Sequence, residues 1–189
     1  DTPKYVLITG ASSGIGKACA LHLDSKGFHV FAGVRNDEDA LALREVASER
    51  LTPLFLDVSD KASVETATET LTKAIAPHGL TGLINNAGIP LVGPLEFVDL
   101  ARLRNQLKVN LLGVISVTQS FLPLIRKTKG RIINMGSISG RVALPFIGPY
   151  SATKFALEAI SNSLRVELRP WDISVSIIEA GNVATSIRE

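Results

Sequence analysis

Two side chains able to move a proton, Tyr150 and Lys154, lie four residues apart in this sequence. On a helix that spacing places both on one face, with Cβ atoms about 5–6 Å apart. A phenol ordinarily loses its proton near pH 10, and a nearby ammonium favours the phenolate. The pair therefore predicts a tyrosine whose pKa is lowered by the lysine and which exchanges a proton with a substrate as general acid or base.

Two polar residues earlier in the chain are candidates for the same chemistry. Ser137 follows an apolar run typical of a strand, and its hydroxyl can hydrogen-bond a substrate oxygen on which charge develops. Asn110 lies in a long helical stretch and can hold a water that returns protons to Lys154. Each residue alone is weak evidence, because Tyr-x-x-x-Lys also occurs on ordinary exposed helix faces.

A glycine-rich turn follows the first predicted strand and precedes a helix. Glycines there permit unusual backbone angles and close approach to a pyrophosphate, while the N–H groups of the helix start face the anion. The turn therefore predicts a dinucleotide site. Its candidate contacts are Gly10, Ser12, Ser13, Gly14, Ile15 and Gly16.

The end of the second predicted strand bears on the choice of dinucleotide. Folds that prefer NAD usually place an acidic residue there to bind the ribose hydroxyls. This chain has Val34 and then Arg35, whose guanidinium suits a 2′-phosphate, so NADP is favoured over NAD. In the alternative interpretation Arg35 is a solvated loop residue and Asp37 binds the ribose.

The next two strand ends supply further candidates for contact with the cofactor. Asp57, followed by Val58, can accept a hydrogen bond from an adenine amino group. After the fourth strand come Asn86, Ala87 and Gly88, of which the last two are small enough to let backbone approach a ribose. Each of these is equally consistent with a turn or capping residue.

Short β-branched runs alternate with helical stretches along the whole chain, which predicts an α/β fold: a Rossmann-type doubly wound parallel sheet with helices on both faces. We treat residues 1–189 as a single domain, with ligands beyond the carboxyl ends of the strands. The predicted strands are Lys4–Thr9, His29–Val34, Leu51–Asp57, Gly82–Asn85, Arg131–Met135 and Ile173–Glu179. The predicted helices are Gly14–Lys26, Asp37–Glu49, Lys61–Ala76, Leu100–Arg126 and Tyr150–Leu168.

Taken in order, these motifs resemble the short-chain dehydrogenase/reductase family between Thr9 and Thr185. The resemblance implies a catalytic tetrad of Asn110, Ser137, Tyr150 and Lys154, with Tyr150 and Lys154 also counted among the cofactor-binding residues. It further implies that Lys154 binds the nicotinamide ribose. A segment after the sixth strand would contact the nicotinamide amide through Gly181, Val183 and Thr185.

The sequence departs from the family pattern at two places. Ala180 precedes Gly181 where the family usually has proline, although the spacing from Gly181 to Thr185 is kept. The sequence also stops at Glu189, so we expect the family's C-terminal lid and last strand to be missing from it.

Two apolar segments, residues 139–149 and 89–95, flank the predicted site and favour a small hydrophobic alcohol or carbonyl substrate. Parts of the first segment and of the Tyr150 helix resemble the hydroxysteroid and retinol dehydrogenase branch. Alternatively, these residues only pack a loop or a subunit contact. Small residues on the Tyr150 helix, with the resemblance, predict a homodimer or homotetramer. In the alternative interpretation these residues only allow close packing within the chain.

Composition excludes several other classes of function. The net charge is +2 with Lys and Arg scattered, so no nucleic-acid partner is expected. Without a run of about 20 apolar residues or a signal peptide, we expect no membrane span and a cytoplasmic location. Three dispersed histidines predict no metal and no hydrolase triad, and a single cysteine, Cys19, predicts no intrachain disulfide.

The sequence as a whole predicts an NAD(P)-dependent oxidoreductase that interconverts a hydrophobic alcohol and its ketone or aldehyde by hydride transfer. Two alternatives remain at this stage. The first is a catalytically inactive NADP-binding redox sensor. The second is a sugar-nucleotide epimerase or dehydratase, which also uses Tyr-x-x-x-Lys; the spacing of Gly10, Gly14 and Gly16 and the short chain count against it.

Overall fold

The computed structural model describes residues 2–185 and has a parallel sheet in the strand order β3-β2-β1-β4-β5-β6. This is the Rossmann-type doubly wound arrangement that the alternating pattern predicts, and the fold prediction is confirmed. Pro53 is tolerated because β3 is an edge strand. The strands are β1 Tyr5–Ile8, β2 His29–Val34, β3 Leu51–Phe55, β4 Gly82–Asn85, β5 Arg131–Met135 and β6 Ser174–Ile178.

The helices connect successive strands, and two of them differ from the sequence prediction by more than two residues. The second helix ends at Arg44 instead of continuing to Glu49, because the backbone N–H and hydroxyl of Ser48 both donate to Asp24. The predicted helix Leu100–Arg126 is instead two α-helices joined through a π-helical segment, Lys108–Gly113. The α-helices are α1 Gly14–Ser25, α2 Asp37–Arg44, α3 Lys61–Ile75, α4 Leu100–Leu107, α5 Val114–Thr128 and α6 Gly148–Glu167, with short 3-10 turns at Leu95–Phe97, Ile138–Gly140 and Arg169–Trp171.

Successive side chains of a strand point to opposite faces of the sheet, so the apolar residues of the strands form two core clusters, one on each face. In β1, Leu7 points to the face covered by α3 and α5, where it joins a cluster that includes Phe121. Its neighbours Val6 and Ile8 point to the other face and join the cluster under α1 and α2. All three β1 side chains are buried, so the central strand that carries the glycine turn is held on both sides.

The continuous helix Leu100–Thr128 is long and apolar enough to cross a membrane by length and composition. The expectation that no segment could do so is therefore not confirmed. In this fold the helix lies along the sheet, and Val117, Phe121 and Ile125 are fully buried in the core. That burial is what a core helix of a globular domain requires, because its apolar face is already covered by protein.

Candidate active site

The glycine turn lies at the carboxyl end of β1, directly beside the segment that follows β4. Gly10 has φ +63°, and a Cβ there would lie 2.8 Å from the Cα of Ala87. A Cβ at Gly16 would collide with the carbonyl oxygen of Gly10. The Asn86 side chain donates to the carbonyls of Thr9 and Gly10 at 3.0 and 2.9 Å. A side chain at Gly10 or Gly16 would therefore clash with neighbouring atoms, and the hydrogen bonds from Asn86 hold the turn in shape.

The N-terminus of α1 differs from those of the next helices in having no capping side chain. Helices α2, α3 and α4 begin after Asn36, Asp60 and Asp99, and each of these side chains accepts a backbone N–H of its own helix. Ser13 precedes α1 in an extended conformation and makes no such bond. Uncapped N–H groups at a helix start bind anions, so this end of α1 fits the pyrophosphate of a dinucleotide.

A cavity of about 210 Å³ extends from the glycine turn toward the ends of β2 and β3. Arg35 is exposed at its edge, whereas Asp37 lies outside its lining and begins α2. The Asp57 carboxylate accepts from the backbone N–H and the hydroxyl of Ser59, so it shapes a turn and also faces the cavity. Twelve predicted cofactor residues line it: Gly10, Ser12, Ser13, Gly14, Ile15, Arg35, Asp57, Val58, Asn86, Ala87, Gly88 and Thr185.

A second cavity of about 900 Å³ adjoins the first, and Ile15, Asn86, Gly88 and Thr185 line both. The second cavity also contains the predicted residues Ser137, Tyr150, Lys154, Gly181 and Val183. The predicted proton-transfer groups and the predicted nicotinamide segment thus share one space, which continues to the glycine turn. Two predicted residues, Gly16 and Asn110, line neither cavity.

Tyr150 lies half-buried in the first turn of α6, and its environment differs from the one that the spacing predicts. Burial raises the pKa of its phenol, and a hydrogen bond from the Ser137 side chain opposes that shift. The prediction that Lys154 lowers the pKa of Tyr150 is therefore wrong for this structure. The Lys154 Nζ is 5.6 Å from the centroid of the phenol ring, and burial of the phenol, the largest cause, sets the direction of the shift.

Ser137 is buried and lies at the start of the 3-10 turn Ile138–Gly140. Its hydroxyl oxygen accepts the backbone N–H of Ser139 at 3.1 Å, which leaves the hydroxyl proton for the Tyr150 oxygen or a substrate oxygen. The backbone N–H of Ile138 donates to the carbonyl of Ala180 at 3.0 Å. The residue after Ser137 is thus tied to the segment after β6, and Ile138 and Ala180 both line the cavity.

Lys154 is 5% exposed, and its Nζ donates to the carbonyl of Met135 at 2.6 Å, at the end of β5. Burial lowers the pKa of this ammonium to about 8 from its usual value near 10.5. Among residues 2–185, no carboxylate forms an ion pair with it. The amine is therefore held in position by one neutral acceptor and carries a charge that the site destabilises.

Asn110 lies in the π-helical segment, and its side chain holds the loop after β4. Its Oδ1 accepts the backbone N–H of Ile89 at 2.9 Å, and its Nδ2 donates to the Ile89 carbonyl at 2.9 Å. The same Nδ2 donates to the hydroxyl of Thr153 at 3.2 Å, which connects the loop to α6. Asn110 thus aligns the β4 loop with the Tyr150 helix, and π-helical turns are frequent at functional sites.

An ion-pair cluster ties the Ser137 loop to α6 and to the end of β6. Arg141 donates twice to one Glu179 oxygen, at 3.0 and 2.7 Å, and lies 3.1 Å from the Glu158 carboxylate. Glu158 lies one helical turn beyond Lys154 and is 5% exposed, while Arg141 is open to solvent. The contact with Glu158 is an ion pair without a well-aligned hydrogen bond. Arg141 therefore neutralises a buried carboxylate.

The substitution Arg141→Met is expected to lower the melting temperature by several degrees, because it leaves the Glu158 carboxylate buried without a counter-charge. The double variant Arg141→Met/Glu158→Gln should recover most of that loss, since the buried charge is then removed. Thermal unfolding at neutral pH measures both effects. If Glu158→Gln gave no recovery in the Arg141→Met background, the buried charge would not be the cause.

Comparison with known proteins decides the family. The sequence model described as short chain dehydrogenase matches residues 4–189. The chain belongs to the short-chain dehydrogenase family. It is 43% identical to the mitochondrial D-beta-hydroxybutyrate dehydrogenase of Mus musculus over 192 residues, which is 97% of this chain and 56% of that protein.

Other members of the short-chain dehydrogenase family support the predicted hydroxysteroid and retinol branch. The chain is 44% identical to retinol dehydrogenase 16 of Mus musculus and 43% identical to 17-beta-hydroxysteroid dehydrogenase type 6 of Homo sapiens. Each alignment includes 97% of this chain and 58% of the relative, so the chain spans little more than half the length of these relatives. The solved structure of a gluconate 5-dehydrogenase from Burkholderia cenocepacia, in complex with NADP and tartrate, has a similar fold, with a TM-score of 0.88 and 27% sequence identity. The match covers 98% of this chain and 74% of that one.

Sequence reasoning did not single out three residues that position the site of this short-chain dehydrogenase. The Thr9 hydroxyl accepts the backbone N–H groups of Asn86 and Ala87, each at 3.0 Å, and joins β1 to the β4 loop. Thr153 receives the Asn110 bond, and Arg141 forms the ion-pair cluster. Only Thr153 carried a usable signal, since it lies between Tyr150 and Lys154; the other contacts join segments far apart in sequence.

Proposed function

We propose that this chain transfers hydride reversibly between a nicotinamide dinucleotide and the carbon of a hydrophobic alcohol or carbonyl. The observation that carries the proposal is the meeting of Ser137, Tyr150 and Lys154 in a cavity that continues to the glycine turn. Family relatives that are named as hydroxybutyrate, retinol and hydroxysteroid dehydrogenases support the reaction type. The apolar part of the wall, which includes Val92 and Leu144, supports a hydrophobic substrate.

The cofactor-binding residues fit a dinucleotide laid across both cavities. The uncapped α1 N-terminus would hold the pyrophosphate, and Lys154 would hold the nicotinamide ribose. Arg35, at the edge of the smaller cavity, supports NADP, which is also the dinucleotide in the gluconate 5-dehydrogenase complex. When bound, the cofactor supplies or accepts the hydride.

In carbonyl reduction the side chains of this chain act on the substrate oxygen. Ser137 donates a hydrogen bond to it, and Tyr150 donates the proton that makes the alcohol. Burial keeps the phenol protonated at neutral pH, so Tyr150 is ready as an acid and must ionise first when it acts as a base. Lys154 lies beside the phenol, with its Nζ 5.6 Å from the ring centroid, and Asn110 keeps the β4 loop aligned with α6.

The test is a screen of NADPH oxidation against a panel of hydrophobic ketones and aldehydes, with the reverse reaction measured on the matching alcohols. Turnover of at least one such pair in both directions is expected. The proposal fails if the protein binds NADPH, seen as a fluorescence change, and yet reduces no carbonyl compound of the panel.

The substitution Arg35→Asp is expected to shift the ratio of kcat/KM values from NADPH toward NADH by about 10- to 100-fold, because the 2′-phosphate loses a charge-assisted partner and meets a carboxylate. Initial rates with both cofactors measure the ratio. Arg44→Asp makes the same change at the last turn of α2, outside the cavity lining, and serves as the matched control. An unchanged ratio in Arg35→Asp would remove Arg35 from 2′-phosphate binding.

We also infer a homodimer or homotetramer that forms through α6. Ala152, Ala159 and Ser163 are exposed on this helix, and beside them Phe155 is 43% exposed, so a second helix can approach closely. Sedimentation velocity would report the assembly. The cytoplasmic location stays a prediction from the sequence.

A further inference from the structure

We propose that the substrate carries an anionic group, a carboxylate in the simplest case, and that Arg102 on α4 binds it. This inference rests on the proposed hydride transfer and narrows its substrate class. It starts from an arginine in the wall of the larger cavity that the motifs leave without a role.

The position of Arg102 follows from the face of the helix on which it lies. Arg102, Gln106 and Asn110 are spaced by four residues, and this spacing places them on one side of a helix. Gln106 donates to the Ile89 carbonyl at 3.2 Å, and Asn110 makes the two Ile89 bonds described above. Arg102 is therefore one turn further out on the side that faces the β4 loop, and it lines the cavity with Pro90 and Val92 of that loop.

The charges around the cavity favour an anion. Arg102 is exposed, and no carboxylate among residues 2–185 forms an ion pair with it. Among the described residues that line this cavity there is no Asp or Glu, and the only other cation is Lys154, which lies beside Tyr150. A guanidinium binds a carboxylate through two parallel hydrogen bonds, which gives both affinity and orientation.

The cavity lining indicates what kind of substrate can join Arg102 to the reactive groups. Arg102 lines the same cavity as the reactive groups Ser137 and Tyr150. Between them the wall is largely apolar and includes Pro90, Val92 and Leu144. The geometry thus favours an amphipathic substrate in which an apolar chain separates the reacting carbonyl or hydroxyl from a terminal carboxylate.

The experiment compares methyl ketones that end in a carboxylate with their methyl esters, over alkyl chains of increasing length, with NADPH as the reductant. The wild-type protein should prefer the acid over the ester at the longer chain lengths. Arg102→Met should raise KM for those acids by about 10- to 100-fold, as loss of a charge-assisted hydrogen bond implies, while kcat and the ester kinetics stay close to wild type. Arg102→Lys should restore part of the preference.

Arg104→Met is the matched control, because Arg104 is an exposed cation on the same helix that does not line the cavity. It should leave both series unchanged. Equal kcat/KM values for acids and esters in the wild type would overturn the inference and leave hydride transfer intact. Equal effects of Arg102→Met on both series would also overturn it.

A failure of the proposed reaction is distinguished by a binding readout. If neither series turns over, the shift in melting temperature with each compound, measured with NADPH present, still reports recognition. Stabilisation by the acid alone, lost in Arg102→Met and kept in Arg104→Met, would support the anion site and reject the reaction. The same shift with acid and ester would reject the anion site.

Discussion

Replacing Tyr150 with phenylalanine is expected to lower kcat for carbonyl reduction by about 10²- to 10⁴-fold, the usual contribution of a positioned general acid. The variant removes one oxygen atom and keeps the ring, which lies half-buried beside Lys154. Binding of NADPH should therefore change little. Initial rates and a fluorescence titration of the cofactor separate the two effects.

Tyr5→Phe is the matched control, because Tyr5 is the other of two tyrosines and packs against His29 and Phe31 in the sheet. It should keep wild-type kinetics. Near-normal turnover in Tyr150→Phe would mean that another group supplies the proton, and the role given to Tyr150 would be wrong.

The pH profile of the wild type gives a second check on the same residue. Because burial raises the pKa of Tyr150, the phenol is protonated at neutral pH, and alcohol oxidation, which needs the phenolate, should speed up as pH rises. Reduction, which needs the phenol, should slow down over the same range. The residual rate of Tyr150→Phe should lack this opposite dependence.

Most of the fold is predictable from the sequence, because each strand of a parallel sheet with both faces covered is a short run of apolar, β-branched residues. The runs that form β2, β4 and β5 have the same bounds in the sequence prediction and in the structure. The end of α2 is not predictable in this way. It depends on Ser48 bonding to Asp24, and nothing in the residues near Arg44 indicates a partner that lies more than 20 positions away.

The candidate site was predictable as a set of residue types but less so in its energetics. Spacing places Tyr150 and Lys154 on one face, and they do line one cavity. Spacing does not show how deeply each group is desolvated, and desolvation decides the direction of both pKa shifts. Arg102 shows the same limit, since its role depends on the β4 loop that Gln106 and Asn110 hold against its helix.

The substitution Lys154→Met is expected to abolish turnover and to stabilise the folded protein at pH 7 in the absence of cofactor. The folded-state pKa of Lys154 is about 8 against an ordinary value of 10.5, and each pKa unit corresponds to about 1.4 kcal/mol, so the buried ammonium destabilises the fold by about 3 kcal/mol. Methionine fills a similar volume without charge. It loses the bond to the Met135 carbonyl, worth about 1 kcal/mol, so the net gain is about 2 kcal/mol.

The dependence on pH distinguishes this cause from a simple packing effect. Since the folded-state pKa is lowered, the folded protein binds fewer protons than the unfolded chain between about pH 8 and 10.5, and wild-type stability contains a contribution that rises through this window. The advantage of Lys154→Met should therefore be full below pH 8 and fall through this window, and by pH 10.5 the variant should be slightly less stable than wild type because mainly the lost bond to Met135 remains. Denaturant unfolding of both proteins, measured as a difference at each pH, cancels the titration of all other groups.

Lys73→Met is the matched control, because Lys73 is an exposed lysine on α3, outside both cavities. It should change stability little at any pH. A Lys154→Met variant that is less stable than wild type at pH 7 would show that the amine stabilises the fold. The expected result instead shows that the charge of Lys154 lowers the stability of the fold. A residue that destabilises the fold in this way is typically retained for its function, here binding and catalysis.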